Sequence, residues 1–454
     1  MTTRVIIVRH GQSSYNTERR IQGRSDASIL TQKGREDAVM VGDALSHLNF
    51  AAIYTSPLQR AKQTAEVIRD RLTTSPALQP TEKLMEIDLP LWEGMLLQDV
   101  RDKFSEDYRC WKEQPDKLLM MVPQSEGTKK HFPVLALYEQ AGQFWQEILP
   151  HHAGETILII GHNGINRALI STALGISPTR YHSIQQSNCG ISVLNFDPPY
   201  PPYQDGSKEG FVQLESLNQT AHLGEKLPSL RPNHQGQRLL LVRHGETDWN
   251  RQTRFQGGID VPLNDNGRQQ SQKAGEVLKD VPLDFAFSSP MLRPKETAEI
   301  ILRDHHDIQL QLEDGLREIS HGLWEGKLEV EIEQAYPGEL QRWRTVPADV
   351  QMPEGENLHQ VWERSAKAWQ SILAAIENEA KTGLVVAHDA TNKALLCQIL
   401  GLEPNHFWNF RQGNGAVSVI DYPQGSAGLP VLQAMNITSH LGGGVLDKTA
   451  AGAL

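Results

Sequence analysis

Six stretches of this 454-residue chain occur twice, in the same order. RVIIVRHGQSSYN (4–16) returns as RLLLVRHGETDWN (238–250), and TSPLQRAKQTA (55–65) as SSPMLRPKETA (288–298). EIDLPLWEG (86–94) matches EISHGLWEG (318–326), and ETILIIGHNGINRALI (155–170) matches TGLVVAHDATNKALL (382–396). SNCGISVLNF (187–196) pairs with GNGAVSVIDY (413–422), and LNQTAHLG (217–224) with MNITSHLG (435–442). The spacing between copies drifts slowly along the chain, as small insertions and deletions after a duplication would produce. Whatever one half folds into, the other must also, within roughly 200 residues. The expected boundaries are 1–224 and 237–442. A polar stretch with two prolines (225–236) forms a semi-rigid linker between them.

Within each half, short apolar runs alternate with helical patterns. That alternation predicts an α/β fold with a mostly parallel sheet flanked by helices. RVIIV and TILII are continuous β-branched runs, the pattern of strands buried on both faces. Both runs stop at a histidine, His10 and His162, which places the two imidazoles at one carboxyl edge of the sheet. Ser56-Pro57 reads as a helix start with serine at the N-cap, which puts Arg60 in the first turn. PPYPPYQDG (198–206) reads as a surface loop and the glycine-rich tail after His440 as mobile.

Composition narrows the function. A formal net charge of −11 argues against sequence-independent nucleic-acid binding. No apolar stretch approaches a membrane span, and the first strand begins without a preceding apolar leader, so neither membrane nor signal peptide is expected. Three cysteines provide no disulfide frame, which fits a reducing, cytoplasmic setting.

Each half then offers two arginines, two histidines and one glutamate. The sets are Arg9, His10, Arg60, Glu86, His162 and Arg243, His244, Arg293, Glu318, His388. A phosphate monoester dianion suits this mixture. Guanidinium forks match its oxygens, a neutral imidazole can attack phosphorus, and a second imidazole can donate to the equatorial oxygens. A carboxylic acid can protonate the leaving alkoxide. Two histidines and a glutamate could instead bind zinc, but arginines beside them would repel a dication, so no metal and no cofactor are expected.

These motifs, RHG, SSPxxRxxxTA, the glutamate with its WEG and the strand-terminal histidine, resemble those of the histidine phosphatase superfamily, with its phosphoglycerate-mutase-like fold. The likeness covers nearly the whole chain twice. It implies that His10 and His244 are nucleophiles and that Arg9, Arg60, His162 and Arg243, Arg293, His388 form phosphate pockets. It further implies that Glu86 and Glu318 are proton donors. Asn16 and Asn250 join the phosphate-binding set, with turn capping as the alternative; Gln22-Gly23 and Gln256-Gly257 line the pocket or form a turn. The first half is also similar to plant phosphatases of 2-carboxy-D-arabinitol 1-phosphate, which implies a small-molecule phosphate monoester of a sugar or sugar acid as the partner. The implied reaction is metal-independent hydrolysis through a phosphohistidine. Phosphoglycerate mutase, or a phosphoester-binding protein with one inactive half, is the alternative. Oligomeric state is not legible.

Two departures stand out. PEGEN (353–357) in the second half has no aligned copy in the first, where VPQSEGTKKHFP (122–133) is out of register. Asp389-Ala390 replaces Asn163-Gly164, and a carboxylate beside His388 is expected to raise its pKa. Both halves are nevertheless expected to be active. His47, His151, His152, His305 and His306 read as solvated, His222 and His440 as packing or capping groups, and Trp92 and Trp324 as core anchors.

Overall fold

The computed structural model describes the chain apart from residues 126, 201–202, 205–206, 209, 231–233, 377–379, 443, 445 and 447–454. It divides into two compact units, Met1–Glu225 and Lys226–Leu454. The 198–206 loop and the tail therefore lie partly outside the described residues.

In the first unit the order is β1 (Thr3–Arg9), α1 (Gln32–Leu45), β2 (Ala52–Thr55), α2 (Gln59–Arg69), β3 (Leu78–Pro80), α3 (Pro133–Ile148), β4 (Thr156–Gly161), α4 (Asn163–Leu174), β5 (Ile191–Asp197) and β6 (Phe211–Gln219). Its sheet runs β6-β5-β1-β4-β2-β3. The last four named are parallel, while β5 and β6 add antiparallel at the other side. Val5, Ile6, Ile7 and Val8 are fully buried, as are Ile157 to Ile160. Both strands are central, so neither shows the alternation of a strand with one wet face. Helix α1 packs on α2, and α3 on α4.

The second unit repeats this with β7 (Arg238–Arg243), α5 (Asp265–Leu278), β8 (Phe285–Ser288), α6 (Leu292–Ile301), β9 (Leu310–Leu312), α7 (Leu358–Ala374), β10 (Thr382–Ala387), α8 (Asp389–Leu400), β11 (Val417–Asp421) and β12 (Val431–Ile437). The strand order is β12-β11-β7-β10-β8-β9. Register fixes what matters for chemistry: Arg9 lies opposite Gly161 and Arg243 opposite Ala387. The next residue of each strand is a histidine, so both pairs of imidazoles leave the sheet side by side.

The units differ where the duplication breaks register. Residues 95–135 form two short helices (Leu97–Lys103 and Ser105–Glu113) and a hairpin of Met120–Pro123 with Thr128–His131. The second unit has helices Glu329–Ala335 and Glu339–Thr345, then PEGEN. Gly322, at φ +53, lets that motif approach: a Cβ there would lie 2.0 Å from the carbonyl oxygen of Pro353. Among the described residues no helix is long and apolar enough to cross a membrane.

Candidate active site

The RHG corners hold their histidines in one tautomer. His10 Nδ1 donates to the Gly11 carbonyl at 2.7 Å, and His244 Nδ1 to Gly245 at 2.7 Å. A carbonyl can only accept, so Nδ1 carries the proton and Nε2 keeps its lone pair. The His10 and His162 rings stand edge to face with centroids 5.1 Å apart, and His244 and His388 with 5.2 Å. Burial, and after it the neighbouring arginines, push all four imidazoles well below their usual range. Each is neutral at physiological pH, the state in which Nε2 is nucleophilic.

Arg60 and Arg293 approach from the first turns of α2 and α6, both fully buried. Arg60 donates to the carbonyls of Ser25 (2.8 Å) and Gly23 (2.9 Å), and Arg293 to those of Ile259 (3.0 Å) and Gly257 (3.0 Å). Arg293 Nε also donates to His244 Nε2 at 3.3 Å. Arg9 and Arg243 are tied from the other side by the carbonyls of Gln186 (2.8 Å) and Gln412 (2.6 Å). Burial pulls Arg9 and Arg293 down to about 10, still protonated at neutral pH.

Glu86 lies over the first turn of α4. One carboxylate oxygen accepts from the N–H groups of Ile87 (2.8 Å) and Ile165 (3.0 Å), the other from Gly164 (3.0 Å). Glu318 accepts from Ile319 (3.1 Å) and Ala390 (3.2 Å). Burial raises the Glu318 carboxyl, against the pull of Arg293. Asn16 and Asn250 cap their own turns: Asn16 Oδ1 accepts from the Ser13 N–H (3.1 Å) and hydroxyl (2.9 Å), and Asn250 Oδ1 from those of Thr247 (3.1 Å each). They also meet the site through Asn188 and Asn414, whose amides donate to the carbonyls of His10 (2.9 Å) and His244 (3.2 Å). The five-residue sets are thus brought together in each unit, with the asparagines one residue removed.

Several residues of the duplicated motifs that stand outside the five-residue sets position the site. Thr64 Oγ1 accepts from the Gly11 N–H (3.1 Å) and donates to the Arg60 carbonyl (2.7 Å), so one hydroxyl links the RHG corner to the arginine. Thr297 does the same between Gly245 and Arg293. The recurring WEG glutamates fix the turn whose carbonyls hold the arginines: Glu325 Oε1 accepts from Gly258 (2.7 Å) and His321 (3.0 Å), and Glu93 accepts from the Arg24 N–H. The turn glycines Gly23 and Gly257 have φ +51 and +56 and no room for a side chain.

Three expectations need correction. Ser56-Pro57 does not start the helix: α2 begins at Gln59, after Leu58 in the cap position. Its first N–H is met by Asp26 Oδ1 at 2.7 Å, from a distant loop, as that of Leu292 is by Asp260 (2.7 Å). His152 is not solvated; it is 8% exposed and lies between Tyr54 (2.9 Å) and Glu155 (2.7 Å). Asp389 does not raise His388. Its carboxylate turns to Arg243 (3.2 Å) and Lys393 (2.7 Å), and burial governs the imidazole. His222 and His440 hydrogen-bond the carbonyls of Cys189 and Gly415, and Trp92 and Trp324 are core residues. Among the described residues no group of three or more His, Cys, Asp or Glu side chains is placed to share a metal ion.

Two strand-end imidazoles and two guanidiniums tied to backbone carbonyls, built twice, define a class of protein that handles phosphate esters. The sequence model of the histidine phosphatase superfamily (branch 1) matches residues 5–203 and again 239–438, and the chain belongs to that superfamily as a tandem phosphatase. It is 32% identical to the 2-carboxy-D-arabinitol-1-phosphatase of Triticum aestivum over 97% of this chain and 86% of that one. The phosphoserine phosphatase 1 of Hydrogenobacter thermophilus is 33% identical over 45% of this chain and 94% of its own. Among solved structures, Bacillus stearothermophilus YhfR shares 32% identity over 45% of this chain and all of its own, with a TM-score of 0.43.

Proposed function

We propose that the chain hydrolyses small phosphorylated sugars or sugar acids, 2-carboxy-D-arabinitol 1-phosphate among them, through a phosphohistidine and without a metal. The observation that carries this reading is the fixed tautomer of His10 and His244, with a lone pair on Nε2 beside two arginines. In the first unit, Nε2 of His10 attacks phosphorus, the N–P bond forms and the bond to the ester oxygen breaks. Arg9, Arg60 and His162 hold the non-bridging oxygens as charge accumulates on them. Glu86, in its protonated form, gives its proton to the leaving alkoxide. A water then attacks phosphorus, its proton passes to Glu86, the N–P bond breaks and inorganic phosphate leaves. His244, Arg243, Arg293, His388 and Glu318 take the same parts in the second. The substrate class is supported by likeness to the wheat phosphatase along nearly the whole chain, and a cytoplasmic setting by the low cysteine content.

The test is leaving-group dependence in the Glu86→Gln/Glu318→Gln double variant. Hydrolysis of alkyl and sugar-acid phosphates should fall by about 10²–10⁴-fold. p-Nitrophenyl phosphate, whose leaving group needs no proton, should lose far less. Equal losses on both substrates would remove the glutamates from the acid role.

A further inference from the structure

The two pockets share residue types but not charge balance. Asp389 stands at the first position of α8, 2% exposed at its side chain, with one oxygen 3.2 Å from Arg243 and the other 2.7 Å from Lys393. The aligned position in the first unit is Asn163, and Lys393 is matched by Arg167 on the same helix face. Arg167 lies instead against His182 Nδ1 at 3.5 Å, Gln185 Oε1 at 3.3 Å and the Tyr181 ring, with Glu86 the carboxylate that acts on it. Arg9 accordingly feels Arg167 as a like charge. The cations of the first pocket, Arg9, Arg60 and Arg167, face Glu86, with Asp26 and Glu93 acting on Arg60 as Asp260 and Glu325 act on Arg293. Those of the second, Arg243, Arg293 and Lys393, face Glu318 in the same way and one carboxylate more, Asp389.

Hydrogen bonding differs in the same sense. Arg60 Nε and both ring nitrogens of His162 are buried without a partner. Two of the three counterparts are engaged within the protein, Arg293 Nε with His244 Nε2 at 3.3 Å and His388 Nε2 with Ser289 Oγ at 2.9 Å, while His388 Nδ1 is unpartnered like His162 Nδ1. Exposure follows. Arg243 and Asn250 are each 2% exposed, whereas Arg9 and Asn16 are half-buried.

We propose that Asp389 is a built-in anionic occupant of the second phosphate pocket, so that the first unit grips a phosphate dianion tightly and the second weakly. A dianion entering the second pocket must share Arg243 with a fixed carboxylate and displace existing hydrogen bonds. In the first it meets donors that nothing else satisfies. The first unit then works at low substrate, and the second contributes only when substrate is abundant. This rests on the reading that both constellations are phosphate pockets.

Calorimetric titration of inorganic phosphate into the full-length chain tests it without needing turnover. The wild type should show one tight site and a second at least tenfold weaker. Asp389→Asn should tighten the weak site about tenfold or more and leave the tight one unchanged. Asn163→Asp, which plants the carboxylate in the first pocket, should loosen the tight site to the level of the weak one. It serves the same purpose should Asp389→Asn misfold around a buried, unpaired Lys393. Two equal wild-type sites overturn the proposal, as does a tight site unmoved by Asn163→Asp. Unequal binding without any hydrolysis would instead sink the phosphatase reading and leave this one standing. Absence of phosphate binding at either site would overturn both.

Discussion

Only Nε2 of His10 keeps a lone pair, because the Gly11 carbonyl accepts the proton on Nδ1. The same corner depends on Thr64, which satisfies the buried Gly11 N–H and bonds back to α2. Thr64→Val keeps the shape and removes the acceptor, leaving an unmet buried donor at a cost of roughly 1–3 kcal/mol. Measured in the His244→Ala background, where only the first site turns over, Thr64→Val should lower kcat by about tenfold and leave KM nearly unchanged. A change in KM alone would mean that the hydroxyl serves binding rather than nucleophile placement. His321 makes a different point. It is fully buried, neither ring nitrogen has a partner, and burial takes it down to about 3. The unfolded chain takes up a proton there near pH 6.5 and the folded chain does not. Its contribution to stability is therefore intact above pH 6.5 and is eroded as pH falls from there towards 3. Thermal or denaturant unfolding at pH 7 and pH 5 should show a smaller acid-induced loss in His321→Leu than in wild type, by roughly 2 kcal/mol. Identical losses would show that this imidazole is protonated in the fold.

At the scale of elements, the strands were legible because their apolar runs are continuous and end in residues that cannot be core. The register of Arg9 opposite Gly161 follows from two buried parallel strands of similar length. The cap of α2 was not legible. Ser56-Pro57 carries the usual signature, yet the N–H of Gln59 is met by Asp26, 33 residues earlier, and no local pattern records such a contact. Asn188, Thr64 and Glu93 all lie in duplicated motifs, yet the sequence could not show that they converge, since each sits in a different block. Asp389 was visible as a departure, but which cations it meets depends on the turn of α8 relative to β7. The segments around 95–135 and 327–360 resisted reading because the duplication loses register there. Asp26→Ala should cost about 1 kcal/mol in chemical denaturation, the usual worth of a helix cap. It should also raise KM in the His244→Ala background, because α2 carries Arg60. A destabilised variant with wild-type KM would separate the cap from the phosphate pocket.

For the molecule as a whole, a net charge of −11 does not decide what the pockets can hold. Each unit builds its own local positive field from a pair of arginines at a sheet edge, whatever the net charge of the chain. Every group of each constellation comes from its own unit, so the two sites should act independently. Loss of His10 alone or His244 alone should leave residual hydrolysis, and loss of both should abolish it. The most direct measurement is acid-free quench of the full-length enzyme during turnover, followed by peptide mass spectrometry for alkali-stable phosphate. The account predicts phosphate on the imidazoles of His10 and His244, and none in the His10→Ala/His244→Ala variant, which should also be inactive. Sustained hydrolysis by that double variant, with no phosphohistidine in the wild type, would contradict it.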